Sequence, residues 1–434
     1  MAAGVPVRGR LATRISVVTA LVVTFATVFM AAGLGVARSG LAGAGAGAGN
    51  DDVAYGSATW PSDLTSGVKS DLAIRAMPPV PLTLRQSIAG TYTVPGTAPE
   101  LPWPTHGQAA MEVLGLGSLG TSGPLDSPVS IASVTKTMTA LLVLQDHPLA
   151  PGQDGPTITV TAAEAETYQK EADTTDDSLV PVKAGERLSE RDALYALMLA
   201  SADNMAAILA QWDAGSVPAF LAKMNAKAAQ LGMAHTLFTD PSGLAASTTS
   251  TAQDLLKLGA TAIQRADFRQ IVGTLEARIP VVGEIRNYNQ LLGVDGVIGI
   301  KTGSTDAAGS CLLFAADVTL GGKTVTVVGA VLGQRLGGGT GVVSSALEAA
   351  RKLVLGAEGA LTTADVVTPG TTVAVLERGG VRSGRLTVAA PVVAVGWPGL
   401  VFHVTVSGTP GSASIAVSEG SGQSPLATGP LQSE

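Results

Sequence analysis

The amino-acid sequence predicts a mixed α/β (α+β) protein: an antiparallel sheet with a helical lobe, a small C-terminal β domain and an N-terminal membrane helix. Three observations predict this. The chain has 434 residues, 46% hydrophobic and 14% charged, which is enough for a large core and more than one domain. Between residues 133 and 259 apolar residues recur at helical spacing. Beyond Lys301, and again beyond Thr362, the pattern turns to β-prone runs punctuated by glycine.

The N-terminal prediction rests on Arg8, Arg10 and Arg14, a basic segment (1–14) ahead of an uncharged stretch from Ile15 to Ala37. That stretch has 23 residues, against roughly 20 for a membrane span and roughly 7 to 15 for the apolar part of a cleaved signal. The arginines place the first residues in the cytoplasm and everything beyond Arg38 outside the cell membrane. The small residues Ala42-Gly43-Ala44 leave cleavage, and so secretion, open. Residues 38–85, with a Gly/Ala run at 40–49 and Met77-Pro78-Pro79-Val80-Pro81, read as a tether.

A catalytic-size domain is expected over 86–360. Ser133 to Leu144 reads as a helix with the apolar run Ala140-Leu141-Leu142-Val143-Leu144. Ser189-Glu190-Arg191-Asp192 has the form of an N-cap with a carboxylate at the third helical position, ahead of Ala193, Leu194, Leu197 and Met198. Further helices are expected from Pro218 to Leu231, stopped by Gly232, and from Ser250. Cys311–Val318 and Lys323–Leu332 form a hairpin around Gly321-Gly322, and 343–355 is helical again. Residues 361–408 alternate Val and Thr without helix signals and read as the small β domain. Residues 409–434, rich in Gly, Ser, Pro and Thr, read as a disordered tail.

A net charge of −7 without a long basic run argues against a nucleic-acid partner. The lone cysteine, Cys311, lies in an apolar run and reads as a small buried hydrophobe. His106, His147, His235 and His403 are scattered, with no metal-ligand spacing and no Gly-x-Ser-x-Gly elbow. Neither a zinc site nor a Ser-His-Asp hydrolase is expected, and no cofactor is implied.

Three short motifs carry chemistry. In Ser133-Val134-Thr135-Lys136 a hydroxyl and an amine sit three residues apart at a helix start, hence on one face. A serine hydroxyl needs a base, and a lysine with a pKa near 10.4 serves only if burial and the helix dipole lower it. The spacing alone is weak: Ser66-Gly67-Val68-Lys69 repeats it within the tether, where it reads as surface. Ser201-Ala202-Asp203-Asn204 offers a second hydroxyl for proton relay, with polar partners for Lys136 or a substrate amide; on its own it better suits a helix end satisfying its own carbonyls. Lys301-Thr302-Gly303-Ser304 follows a strand and suits a carboxylate beside a strand edge, with Gly303 leaving room for substrate backbone.

In this order the three match the Ser-x-x-Lys, Ser-x-Asn and Lys-Thr-Gly set of penicillin-binding proteins and serine β-lactamases. The chain resembles the low-molecular-weight D-alanyl-D-alanine carboxypeptidases beyond these motifs. The resemblance extends through Val182-Lys183-Ala184-Gly185-Glu186-Arg187-Leu188-Ser189, Met224-Asn225, Asp240-Pro241-Ser242-Gly243-Leu244 and Asn287-Tyr288-Asn289. It implies a penicillin-binding/β-lactamase-like fold and hydrolysis of peptidoglycan pentapeptides through an acyl-enzyme on Ser133. Lys136 would be the base and Ser201 the relay. Asp203 and Asn204 would contact substrate, and Lys301, Thr302 and Ser304 would bind the terminal carboxylate. The N–H groups of Ser133 and Ser304 would form the oxyanion hole, and β-lactams would acylate the same serine.

One departure stands out: the family's second motif ends in Asn, whereas this chain has Asp203 there and Asn204 next. Two rival readings follow. A β-lactamase would need a deacylating Glu, but Glu276 and Glu284 lack the expected Asn partner. A catalytically weak wall-associated scaffold of the same fold rests on Asp203 alone.

Overall fold

Alternation of apolar side chains along three long β-prone runs produces a sheet buried on both faces. The computed structural model describes residues 80–175, 177–335, 343–409, 411–419 and 425–433. Segments 1–14 and 15–37, nearly all of the tether, and the Ser66/Lys69 pair lie outside the described residues. In spatial order the strands of the central sheet are Val297–Thr305, Gly309–Leu320, Lys323–Gln334, Gln108–Val113 and Gly117–Ser122, all antiparallel. Leu313 and Ala315 point into one core while Leu312, Phe314 and Ala316 point into another. Gly321 and Gly322, at φ 56 and 77, close the expected hairpin with Leu320 opposite Lys323.

One face of the sheet carries the helical lobe: α1 (Lys136–Asp146), α2 (Ala162–Thr174), α3 (Glu190–Met198), α4 (Asp203–Ala214), α5 (Val217–Gln230), α6 (Ala252–Ile263) and α7 (Ala266–Val272). Every residue of α1 from Lys136 to Leu144 is buried, the mark of a core helix. Ser189 caps α3 in a reciprocal box with Asp192, as its sequence predicts, and Thr161 caps α2 in the same way with Glu164. The opposite face is covered by α8 (Ser344–Ala360), whose Ala346, Ala350, Leu353 and Ala357 share a core with Phe314 and Val331. Cys311 is fully buried and its thiol is pushed up to about 12 by desolvation. Among the described residues, no helix is long and apolar enough to cross a membrane.

The β region departs from expectation at both ends. It is a seven-stranded sheet in the order Leu82–Gln86, Thr372–Arg378, Val381–Val388, Ala427–Ser433, Ser414–Ser418, Val401–Ser407, Thr91–Thr93. A separate ladder pairs Thr362–Val367 with Val392–Gly396. The stretch 409–434, expected to be disordered, thus supplies two strands. Ile415 and Val417 are completely buried, an alternation that the surrounding Gly, Ser and Pro conceal. Residues 82–93, divided in the sequence reading between tether and catalytic domain, also belong to this sheet. Strands this short take their hydrogen bonds from distant neighbours and carry little local signal.

Candidate active site

The site forms where α1 begins under the edge of the central sheet. A short 3₁₀ turn, Ala132–Thr135, leads into α1 and carries Ser133, with Lys136 as the first α-helical residue. Ala132 has φ 46, an uncommon value for a residue with a side chain, and this turns the chain sharply just before the nucleophile candidate. Lys136 is completely buried. Its Nζ donates to Ser133 Oγ at 2.9 Å, to Asp203 Oδ1 at 2.6 Å and to the Ser242 carbonyl at 2.9 Å. Burial pushes the Lys136 amine below its ordinary value, and Asp203, Asp240 and Asp177 partly offset this.

The third acceptor on Lys136 belongs to a loop that sequence reasoning tied to the family but gave no task. Asp240 organises it: its Oδ2 accepts from the N–H groups of Gly243 (2.7 Å) and Leu244 (3.0 Å) and from Ser242 Oγ (2.7 Å). Thr139 Oγ1 donates to the Pro241 carbonyl at 2.6 Å and ties the loop to α1. A side chain at Gly243 would sit 1.8 Å from the Ala132 carbonyl, so only glycine lets the loop approach the turn that bears Ser133. The Asp-Pro-Ser-Gly run was the available signal, since Asp and Gly in that spacing build a turn around one carboxylate.

The second motif joins α3 to α4. Ser201 is buried at φ 61, held between Ala202 N–H, which donates to the Ala196 carbonyl at 3.0 Å, and Asp203 N–H, which donates to Ser178 at 2.7 Å. Asp203 opens α4 and turns to Lys136. Asn204 does not share that direction, because successive helical residues face different ways. Its amide closes on Val180, accepting from the N–H at 3.1 Å and donating to the carbonyl at 2.8 Å. The Asn204 side chain thus clamps the backbone at Val180 and also lines the cavity described below.

The third motif lies on the edge strand of the central sheet, Val297–Thr305, whose inner neighbour pairs Lys301 with Leu313 and Ser304 with Ser310. Lys301 and Thr302 are buried and Ser304 is half-buried. Lys301 Nζ donates to the Thr302 carbonyl at 3.1 Å. Its ammonium is pushed well down by desolvation and then by the Lys136 charge. A Cβ at Gly303 would lie 2.9 Å from the Ser133 nitrogen and 3.0 Å from that of Val134. Gly303 therefore serves the fit of the strand against the Ser133 turn, a closer constraint than the room for substrate that the sequence suggested.

Beside the Lys136–Asp203 pair lies a cavity of about 550 Å³, with Glu171, Asp177, Asp203, Asp240, Ile208 and Leu244 among its walls. Burial and the neighbouring Asp177 and Asp203 push the Glu171 carboxyl up. The cavity reaches the reacting groups through Asp203 and Ser242, and neither Ser133 nor Lys301 lines it.

A serine at a helix mouth, with a dry lysine in contact and an edge strand bearing a second buried lysine alongside, is the arrangement of a serine hydrolase. Comparison with known proteins narrows the class. Residues 117–335 match the peptidase S11 family, D-alanyl-D-alanine carboxypeptidase. The chain is 33% identical over 235 residues to a D-alanyl-D-alanine carboxypeptidase of Streptomyces sp. (strain K15), covering 50% of this chain and 77% of that one. It is 30% identical over 245 residues to a D-alanyl-D-alanine endopeptidase of Escherichia coli (strain K12), covering 55% and 74%. The crystal structure of the Streptomyces K15 DD-transpeptidase aligns at 29% identity with a TM-score of 0.49, over 61% of this chain and 98% of that one. The chain belongs to the D-alanyl-D-alanine carboxypeptidase family and is a serine hydrolase of that type.

Proposed function

We propose that the chain trims the terminal D-Ala from peptidoglycan stem pentapeptides by an acyl-enzyme route built on Ser133. The observation that carries this reading is the 2.9 Å contact between Lys136 Nζ and Ser133 Oγ at a buried amine. Lys136 takes the Ser133 proton as Oγ attacks the penultimate D-Ala carbonyl. The N–H groups of Ser133 and Ser304 receive the developing oxyanion, Ser201 passes a proton to the departing D-Ala amine, and Lys301, Thr302 and Ser304 hold its carboxylate. Water then releases the shortened peptide. A β-lactam, whose strained amide takes the place of the peptide bond, acylates the same serine.

The 23-residue uncharged stretch 15–37 behind Arg8, Arg10 and Arg14 supports anchorage in the cell membrane with the hydrolase outside. The β-lactamase reading is not favoured. Glu276 and Glu284 stand on a short hairpin, Glu276–Ile279 with Gly283–Arg286, and both pair with the exposed Arg286.

Mass spectrometry of the protein treated with a penicillin tests the assignment, together with D-Ala release from a pentapeptide by wild type and Ser133→Ala. An adduct confined to Ser133 and release lost in the variant are expected. An adduct on another residue, or equal release by both proteins, overturns it.

A further inference from the structure

Lys136 Nζ has three acceptors, and two of them, the Asp203 carboxylate and the Ser242 carbonyl, have no proton to give. Three acceptors match the three N–H bonds of an ammonium. When one proton leaves, the remaining two stay on Asp203 and Ser242, and the lone pair faces the only partner that is also a donor, Ser133 Oγ. The carboxylate at 2.6 Å adds what a neutral side chain in its place would not: a full negative charge, 12% exposed, against a completely buried amine.

We propose that Asp203 is a positioning residue that sets the pH at which Lys136 becomes a base, holding it higher than the family's Asn would, and so fixes the acid limb of Ser133 acylation. This rests on the reading of Ser133 and Lys136 given above.

The other groups facing Lys136 leave this task to Asp203. From the loop, Asp240 spends its carboxylate on the N–H groups of Gly243 and Leu244 and the hydroxyl of Ser242. From the segment before α3, Asp177 acts only through the field. From the edge strand, Lys301 is itself pushed down by burial and then by the Lys136 charge. In the acylation step Asp203 keeps its bond to Lys136 throughout. The Ser133 proton moves to Nζ, the Oγ–carbonyl bond forms, and the new ammonium stays paired with Asp203 until it gives up a proton, through Ser201, to the amine released as the carbonyl–nitrogen bond breaks.

The test is the pH dependence, from pH 5 to 10, of the second-order rate of acylation by a chromogenic penicillin for wild type and Asp203→Asn. The acid limb of Asp203→Asn is expected about 1 to 3 units below that of wild type, the range for loss of an adjacent opposite charge. Coincident limbs, or a limb displaced upward, overturn the proposal. So does a wild-type rate that is flat across the range, a result that needs no variant. The ¹⁵N resonance of Lys136, assigned with Lys136→Arg, gives the same answer without catalysis. If Ser133 is never acylated but Lys136 titrates at lower pH in Asp203→Asn, the carboxypeptidase reading fails and takes the acid limb with it, while the hold of Asp203 on the Lys136 proton stands. Unchanged titration sinks the inference alone.

Discussion

Gly303→Ala isolates the packing of the edge strand on the Ser133 turn. The new methyl would lie 2.9 Å from Ser133 N, 3.0 Å from Val134 N and 3.2 Å from Ala132 Cβ, about half an ångström short of ordinary contact at 3.4 Å. Two of these neighbours are backbone atoms of a buried turn, so no flexible side chain can swing aside. Either the strand or the turn must move. Overpacking of this kind costs about 1 to 3 kcal/mol of stability. Catalysis is more sensitive, because a misplacement of about 1 Å can cost about 100-fold in rate. Half of that, applied directly to the nucleophile, is expected to slow acylation about 10- to 100-fold, or about 1.4 to 2.7 kcal/mol of barrier. Stopped-flow acylation by a penicillin, D-Ala release and thermal melting measure both effects. Gly359→Ala is the control: a methyl there meets nothing within 4 Å, and it should leave the rate alone and add up to about 1 kcal/mol of stability. A folded Gly303→Ala enzyme that acylates within twofold of wild type would refute the steric argument.

Three further outcomes follow from individual groups. Glu190 is buried with both carboxylate oxygens unpartnered, and desolvation raises its carboxyl from 4.5 to about 7. It is neutral in the fold at pH values where the unfolded chain ionises it, so stability falls as pH rises from 4.5 through about 7. Glu190→Gln should flatten that decline and gain about 1 to 2 kcal/mol at pH 8 by urea denaturation, after allowance for partial screening; an unchanged pH profile would count against it. Asn204→Ala breaks both bonds to Val180 and should cost about 1 to 3 kcal/mol of stability. The acid limb of acylation should stay where it is, since Asn204 does not touch Lys136. Lys301, pushed well down in the free enzyme, should gain a proton when a carboxylate docks beside it. Calorimetry of a D-Ala-D-Ala peptide binding to Ser133→Ala, in buffers of different ionisation enthalpy and over a series of pH values below that of a free lysine, should report net proton uptake, and none at any of them would contradict the carboxylate assignment.

Most of the chemistry was legible because it rests on local spacing. Ser133 and Lys136 had to share a helix face, and a core helix had to follow Lys136. The Ser189 cap announced α3, and Gly321-Gly322 announced the hairpin. What escaped detection depends on groups distant in sequence. The Ser242 carbonyl reaches Lys136 across 106 positions, and a backbone oxygen leaves no trace in residue identity. That Asp203 and not Asn204 meets Lys136 follows from where α4 begins, a boundary hidden by the polar run Ser201–Asn204. The true constraint on Gly303 is a neighbour 170 residues upstream. The strands Ser414–Ser418 and Ala427–Ser433 were missed because composition suggested disorder while two buried side chains, Ile415 and Val417, told otherwise.

The placement of Ala427–Ser433 has a consequence for how the molecule is made. This strand lies between Val381–Val388 and Ser414–Ser418, and without it the ladder of the seven-stranded sheet breaks into two three-stranded runs, which the Gln86 side chain still ties together through the backbone of Val404 and Val406. The outermost strand of each run, Leu82–Gln86 in one and Thr91–Thr93 in the other, leaves the ribosome before the hydrolase does, and the joining strand leaves it afterwards. A growing chain can thus assemble the centre around Ser133 while the ladder beside it is still split, and the later strand acts as a keystone whose arrival joins segments that flank the hydrolase in sequence.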